Sequence, residues 1–281
     1  MPELPEVETV RRGLAPVLEG RRLERVQARR ADLRFPLPDG FGQRLTGRVC
    51  RTVGRRGKYL LLSMDDGSTL LSHLGMSGSF RILSDPATPP EKHEHVILLT
   101  DKGTEIRYHD PRRFGFMDII DPGQSPDDHA MLASMGPEPL DEDFTADRLA
   151  GALKHRKSPI KTALLDQAVV AGLGNIYVCE ALFRAGISPK RQAGTIAGKR
   201  AQKLFDAIQS VLREAIAAGG SSLKDHRQPS GELGYFQHGF AVYGREGEPC
   251  PGCDCNVMKS GGVRRTVQAG RSTFYCTNRQ R

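Results

Sequence analysis

The chain has 281 residues, 38% of them apolar and none of them Trp, and Lys plus Arg outnumber Asp plus Glu by 41 to 33 for a formal net charge of +8. That length fits one large or two medium domains, and the positive excess favours an anionic partner, nucleic acid ahead of a membrane surface. No apolar run reaches the eighteen residues of a membrane span and charge begins at Glu3, so the sequence reads as a cytoplasmic protein with no signal core.

Residues 2–19 read as a helix. Pro2 is tolerated in a first turn, Glu3, Glu6 and Glu8 suit the positive end of the helix dipole, and "VETVRRGLAPVL" has apolar helical spacing. A second reading of Pro2 stays open: loss of Met1 would expose a secondary amine able to attack carbon. From about 21 to 120, short apolar runs ("YLLLSM", "STLLSHL", "HVILLT", "FMDII") are separated by Gly, Asp and Pro, and "DDG" and "DKG" are hairpin signals. This half predicts an antiparallel β-sandwich, followed by a linker at 121–128. Beyond it, "DRLAGALKHR", "SPIKTALLDQAVV", "IYVCEALFRAG" and "AGKRAQKLFDAIQSVLREAIAAG" have helical spacing. In "AGLGN" the glycines permit a tight turn, and Asn175 falls at the mouth of the next helix, as a cap or as a phosphate contact. Residues 220–238 are rich in Gly and Ser and read as mobile.

Residues 1–60 hold fourteen basic against seven acidic side chains, and residues 240–281 hold seven against three, a pattern that suggests a groove lined from both ends. Cys50 and Cys179 stand alone and read as buried hydrophobes. Cys250, Cys253, Cys255 and Cys276 crowd the C-terminus, which reads as metal binding before disulfides. The fold class is therefore α+β in two domains, with divisions at 1–125, 135–235 and 240–281.

"PELPEVETV", "HLGMSG" at 73–78, "DPRRFG" at 110–115, "GLGNIYVCEALFRAGISP" at 172–189, "VYGREGEPCPGC" and "AGRSTFYC" follow one another in an order that resembles the bacterial formamidopyrimidine-DNA glycosylase family. The resemblance spans essentially the whole chain. It implies a β-sandwich with flanking helices, a helix-two-turn-helix domain and a zinc-finger-like β-hairpin. It further implies a DNA glycosylase and abasic-site lyase for oxidised purines, working as a monomer on double-stranded DNA with no organic cofactor. Pro2 would be the nucleophile, since an α-amine titrates lower than a lysine. Glu3 would be its acid/base partner, Lys58 the proton donor for β-elimination, and Arg271 the group acting at the second phosphate. Met76, Arg112 and Phe114 would fill the void left by an everted nucleotide. His93, Lys157, Lys161 and Asn175 would contact DNA, and residues 220–238 would cover the flipped base.

The cysteine pattern departs from the family. Arg279 stands where a fourth cysteine belongs, and "DCNVMKSGG" lengthens the stretch after the first pair. Zinc needs four closed ligands, so Cys255 is the expected substitute beside Cys250, Cys253 and Cys276, although three ligands on so short a loop would be crowded; a three-cysteine site with another ligand and a metal-free hairpin are the alternatives. Two rival functions remain: an endonuclease VIII-type glycosylase for oxidised pyrimidines, against which "PELPEVE" and "DPRRFG" argue, and a lesion-binding protein without catalysis.

Overall fold

The computed structural model describes residues 2–84, 88–221, 229, 234–253 and 255–281. The chain divides into two compact units, Met1–Ala133 with Ala218–Tyr235, and Ser134–Ala217 with Phe236–Arg281.

The first unit opens with helix α1 (Leu4–Leu18), whose Val7, Val10, Leu14 and Leu18 recur at three- and four-residue spacing and are fully buried. Glu3 is its N-cap, and the proline inside its first turn is Pro5. Pro2 therefore precedes the helix rather than starting it, which corrects the simpler reading of that residue. Eight strands follow: β1 (Arg21–Ala28), β2 (Val49–Arg56), β3 (Tyr59–Met64), β4 (Thr69–His73), β5 (Ser79–Leu83), β6 (Glu94–Thr100), β7 (Glu105–His109) and β8 (Phe116–Ile120), with a short helix α2 (Phe41–Leu45) between β1 and β2. All pairings are antiparallel, in the order β5-β7-β6-β1-β2-β3-β4-β8. Strand β1 joins the two halves. Arg21 and Arg22 pair with β2, and Leu23–Ala28 pair with β6 through a register shift between Leu23 and Arg25. Leu60, Leu62 and Leu70 from one half meet Phe80, Val96, Leu98 and Ile106 from the other in one cluster with α1, so the two halves are the layers of a sandwich. The "DDG" and "DKG" turns close the β3–β4 and β6–β7 hairpins.

The second unit holds α3 (Ala146–Leu153), α4 (Ile160–Leu165), α5 (Asn175–Ala185) and the long α6 (Lys199–Ala217). Helix α6 buries Leu204, Ile208, Val211, Leu212 and Ala215 along one face. Gln167 organises the link from α4 to α5. Its amide donates to the carbonyls of Leu165 and Leu173, and its Oε1 accepts from the N–H of Gly172. A four-residue helix α7 (Val257–Ser260) precedes the terminal hairpin of β9 (Arg264–Gln268) and β10 (Arg271–Tyr275). Among the described residues, no helix is long and apolar enough to cross a membrane.

Candidate functional site

In the first unit, Glu3 and Glu6 at the start of α1 are each 2% exposed, and Lys58, in the turn before β3, is 8% exposed. Pro2 is buried as well. The N–H of Glu3 donates to Glu6 Oε2 at 2.8 Å, and Glu6 Oε1 accepts from the N–H and hydroxyl of Ser221 at 2.8 and 2.9 Å. Glu8 lies among Arg11, Arg12 and Arg55. Burial opposes its charge, but those guanidinium groups prevail and hold its carboxyl at about 2. Arg55 also donates to the carbonyl of Gly57 at 2.9 Å, which ties Glu8 of α1 to the tight turn that carries Lys58.

The "HLGMSG" and "DPRRFG" loops are held together by one carboxylate that sequence reasoning missed. Asp110 is fully buried. It accepts from the Ser77 hydroxyl at 2.6 Å and from the Gly115 N–H at 2.9 Å, and its carbonyl lies 2.9 Å from Nε2 of His95. The N–H of Asp110 donates to the carbonyl of His93. Glycine is required at two points of this contact. Gly75 has φ +61, and a Cβ there would come within 2.3 Å of the Phe114 backbone; at Gly115 it would come within 1.8 Å of the Tyr108 hydroxyl. The local signal was present, since each loop ends in a glycine and Asp opens the second.

That contact leaves Met76 and Phe114 each 43% exposed, so neither is the core residue that its type alone suggests. The Arg112 guanidinium sits 4.7 Å above the Phe114 ring. These three side chains line a cavity of about 570 Å³ together with Arg34 and His73. His73 was not anticipated. Its Nδ1 accepts from the Gly75 N–H at 3.1 Å, and its ring packs on Tyr59 and Phe116. Burial first, then the positive charges of Lys58 and Arg34, push its pKa down to about 4, so it is a neutral imidazole at pH 7 and a near neighbour of Lys58. A larger open hollow of about 800 Å³ between β1 and α2 contains none of the expected site residues. His93 is half-buried, with its ring edge-on to His95 and His109.

In the second unit, Lys157 is exposed between α3 and α4 and free of the interior. Asn175 is the first residue of α5, and its amide donates to the Ser272 carbonyl at 2.9 Å. Lys161 corrects an expectation. It is 0% exposed, and its Nζ donates to the Ser272 carbonyl at 2.9 Å and to Thr273 Oγ1 at 2.7 Å. An ammonium spent on interior acceptors is not offered to a phosphate, and the basic "HRKSPIK" context gave no sign of that. Arg271 is exposed at the head of β10, just after the Ala269–Gly270 turn, whose φ values of +48 and +72 suit a two-residue hairpin loop.

Cys250, Cys253, Cys255 and Cys276 do come together, with all four sulfurs within 4.8 Å of one another. The Cys250–Cys255 and Cys253–Cys276 sulfurs are 3.2 and 3.7 Å apart. Four thiolates about 2.3 Å from a tetrahedral ion would lie roughly 3.8 Å apart, so the donor set fits a structural metal and the three-cysteine loop is not too crowded. Burial opposes ionisation of Cys253, but hydrogen bonds from Asn278 and the neighbouring thiols bring it to about 7. Arg279 stays outside the cluster. Its guanidinium stacks 4.7 Å from the Phe183 ring and donates to the Gly252 carbonyl at 3.1 Å, bracing the loop that carries the first three cysteines. The lid expected at 220–238 falls for the most part outside the described residues, as does Met1.

A family model for the formamidopyrimidine-DNA glycosylase N-terminal domain matches residues 1–117, and one for the H2TH domain of formamidopyrimidine-DNA glycosylase matches residues 135–227. The chain is similar to the formamidopyrimidine-DNA glycosylase of Rhodospirillum rubrum, 59% identical over 283 residues and covering all of both chains. Among solved structures it is similar to the MutM (Fpg) protein of Thermus thermophilus (42% identity, TM-score 0.86, 99% of this chain and 98% of that one). It is also similar to the Lactococcus lactis Fpg (MutM) in complex with DNA containing N7-benzyl-Fapy-dG (35% identity, TM-score 0.88, 99% of each chain).

Proposed function

The chain belongs to the formamidopyrimidine-DNA glycosylase family, and on that footing we propose that it excises oxidised purines through a covalent Pro2 intermediate and then cuts the strand on both sides. It is a DNA glycosylase of base excision repair. The observation that carries the finer reading is the placement of Pro2. It lies outside α1, buried next to the buried Glu3, where a helical duty does not account for it.

With Met1 removed, the Pro2 nitrogen attacks C1′ of the damaged nucleotide. The C1′–base bond breaks and the base leaves with a proton. Glu3 delivers a proton to the ring oxygen as the C1′–O4′ bond opens, leaving an iminium between Pro2 and C1′. Loss of a C2′ proton then expels the 3′ phosphate, with Lys58 managing the proton. Loss of a C4′ proton expels the 5′ phosphate, and Arg271 stabilises the departing anion. Water hydrolyses the iminium and restores the amine. Met76, Arg112 and Phe114 occupy the space of the everted nucleotide, and His93, Lys157 and Asn175 hold the backbone. Residues 1–125 perform the chemistry, and 135–235 and 240–281 grip the DNA, with one copy of the chain sufficient. Cys250, Cys253, Cys255 and Cys276 would hold zinc, which acts here as a cross-link that shapes the hairpin.

The test is borohydride trapping on a duplex with 8-oxoguanine opposite C. A one-to-one protein–DNA adduct is expected, and chemical blocking of the N-terminal amine should abolish it. Binding without any adduct, base loss or strand cleavage would overturn the reading in favour of a non-catalytic lesion binder. The Lactococcus lactis relative has also been solved with DNA containing an oxidised pyrimidine. Faster excision of thymine glycol than of 8-oxoguanine would therefore move this chain to pyrimidine lesions. Intact mass of the active protein must lack Met1.

A further inference from the structure

Two side chains from different helices converge on one backbone atom of the hairpin. Lys161 of α4 and Asn175 of α5 both donate to the Ser272 carbonyl, each at 2.9 Å. Lys161 adds a 2.7 Å bond to the hydroxyl of Thr273, and both Lys161 and Thr273 are 0% exposed. Burying an ammonium costs several kcal/mol unless good acceptors surround it, and polar groups in such a place must meet them in one geometry. On the opposite strand, Gln268 is the cross-strand partner of Arg271, and its amide donates to the Pro189 carbonyl at 3.2 Å. The rung that carries Arg271 is thus anchored on both strands, on one side at the residue immediately after it. Arg271 itself is exposed beyond those anchors.

We propose that Lys161 is a positioning residue for Arg271. It fixes the Ser272 peptide against the helical frame, so that the guanidinium is presented at a set distance and angle instead of swinging with the hairpin tip. This rests on the reading of Arg271 as the group acting at the 5′ phosphate. Its consequence is selective. Base release and the first elimination do not need Arg271 held to that tolerance, whereas the second elimination does, because a misplacement of about 1 Å can cost on the order of a hundredfold in rate.

The experiment compares wild type, Lys161→Met, Thr273→Val and Arg271→Ala on an 8-oxoguanine duplex in single turnover at saturating enzyme. Singly and doubly cleaved strands are separated, and zinc per chain is measured by native mass. Lys161→Met should lower the ratio of doubly to singly cleaved product by about tenfold, with base release changed by less than about twofold and zinc retained. Thr273→Val removes one of the two acceptors without changing shape. It should lower the same ratio by about threefold, and it carries the test if Lys161→Met does not fold. A wild-type ratio in Lys161→Met, or in Thr273→Val where that variant carries the test, or a fall in base release that keeps step with the second cleavage, overturns the proposal. Arg271→Ala separates the two levels. If it keeps the doubly cleaved product, the reading of Arg271 has failed; if it loses that product while Lys161→Met keeps it, only the positioning role has failed.

Discussion

The paired loops of the first unit and the cysteine end of the second are built on opposite principles. The loops at 73–78 and 110–115 are closed by backbone: two glycines permit contact, and Asp110 gathers a hydroxyl and an N–H from either side. Their exposed side chains, Met76, Arg112 and Phe114, contribute little to holding them. The cysteine end is closed by side chains, several of them brought from afar: the Cys250–Cys255 loop meets Cys276, the buried Lys161 ammonium of α4 reaches Thr273, and Arg279 stacks on Phe183. A region of the first kind can be read from a six-residue motif. A region of the second kind depends on partners that only the fold brings near.

The contrast is broken most severely at the cysteine end. In Cys255→Ser the set loses the ligand that stands in for the missing fourth cysteine, and binding of a structural metal is coupled to folding. Bound zinc should fall below about half an ion per chain, and amide exchange in β9 and β10 should quicken on the order of a hundredfold, with exchange at 73–78 and 110–115 unchanged. Full zinc occupancy in this variant, by native mass, would show that Cys255 is not a ligand.

The converse change is Gly115→Ala. The added methyl would lie 1.8 Å from the Tyr108 hydroxyl and 2.6 Å from the His73 carbonyl, with no flexible group to yield. A loss of about 3 kcal/mol is expected, read from the urea midpoint by circular dichroism, while zinc content stays that of wild type.

A gentler probe uses pH. His73 is held neutral to about pH 4 by burial and by the nearby Lys58 and Arg34 charges, against an ordinary value of 6.5. Between those values the unfolded chain binds a proton that the folded chain declines, so stability is whole above pH 6.5 and drains as pH falls toward 4. Over that window His73 should account for on the order of 2–3 kcal/mol of lost stability. His73→Gln should flatten that slope between pH 7.5 and 5. Equal slopes in the two proteins would mean that the imidazole is not desolvated as described.

How much was legible follows the same division. Helix α1, the strands at "YLLLSM" and "HVILLT" and both hairpin turns rest on local periodicity and turn chemistry, and the structure has them where the sequence does. The reading of Met76 and Phe114 as loop rather than core residues rested on the glycines of their motifs, and both side chains are exposed beside Arg112. Asp110 and His73 were missed although they lie inside the same motifs: an Asp opening a Gly-ended loop hints at a turn, but a motif does not show that its carboxylate or a nearby imidazole is buried. Lys161 was misread for the same reason in reverse: a basic neighbourhood says nothing about where one ammonium points. The assignment of Pro2 to the first turn failed by two residues, because Glu3 caps the helix, Leu4 opens it and Pro5 takes the early position.

The smallest expected change in stability is also the sharpest test of the loop principle. By residue type alone, a methionine in a glycine-containing loop is as good a core residue as a functional one, and truncating a buried Met to Ala costs about 2–5 kcal/mol. Met76 is 43% exposed beside Arg112 and Phe114, and the contact beneath it is made by Gly75 and Asp110. Met76→Ala should therefore shift stability by less than about 0.5 kcal/mol. If the side chain fills the gap left by an everted nucleotide, its loss must appear elsewhere, as a roughly tenfold slower single-turnover base release from duplex DNA. The same variant should be close to wild type on a lesion in a single strand, where no base stack has to be replaced. A large fall in the urea midpoint would return Met76 to the core, and equal slowing on single and double strands would remove it from the gap.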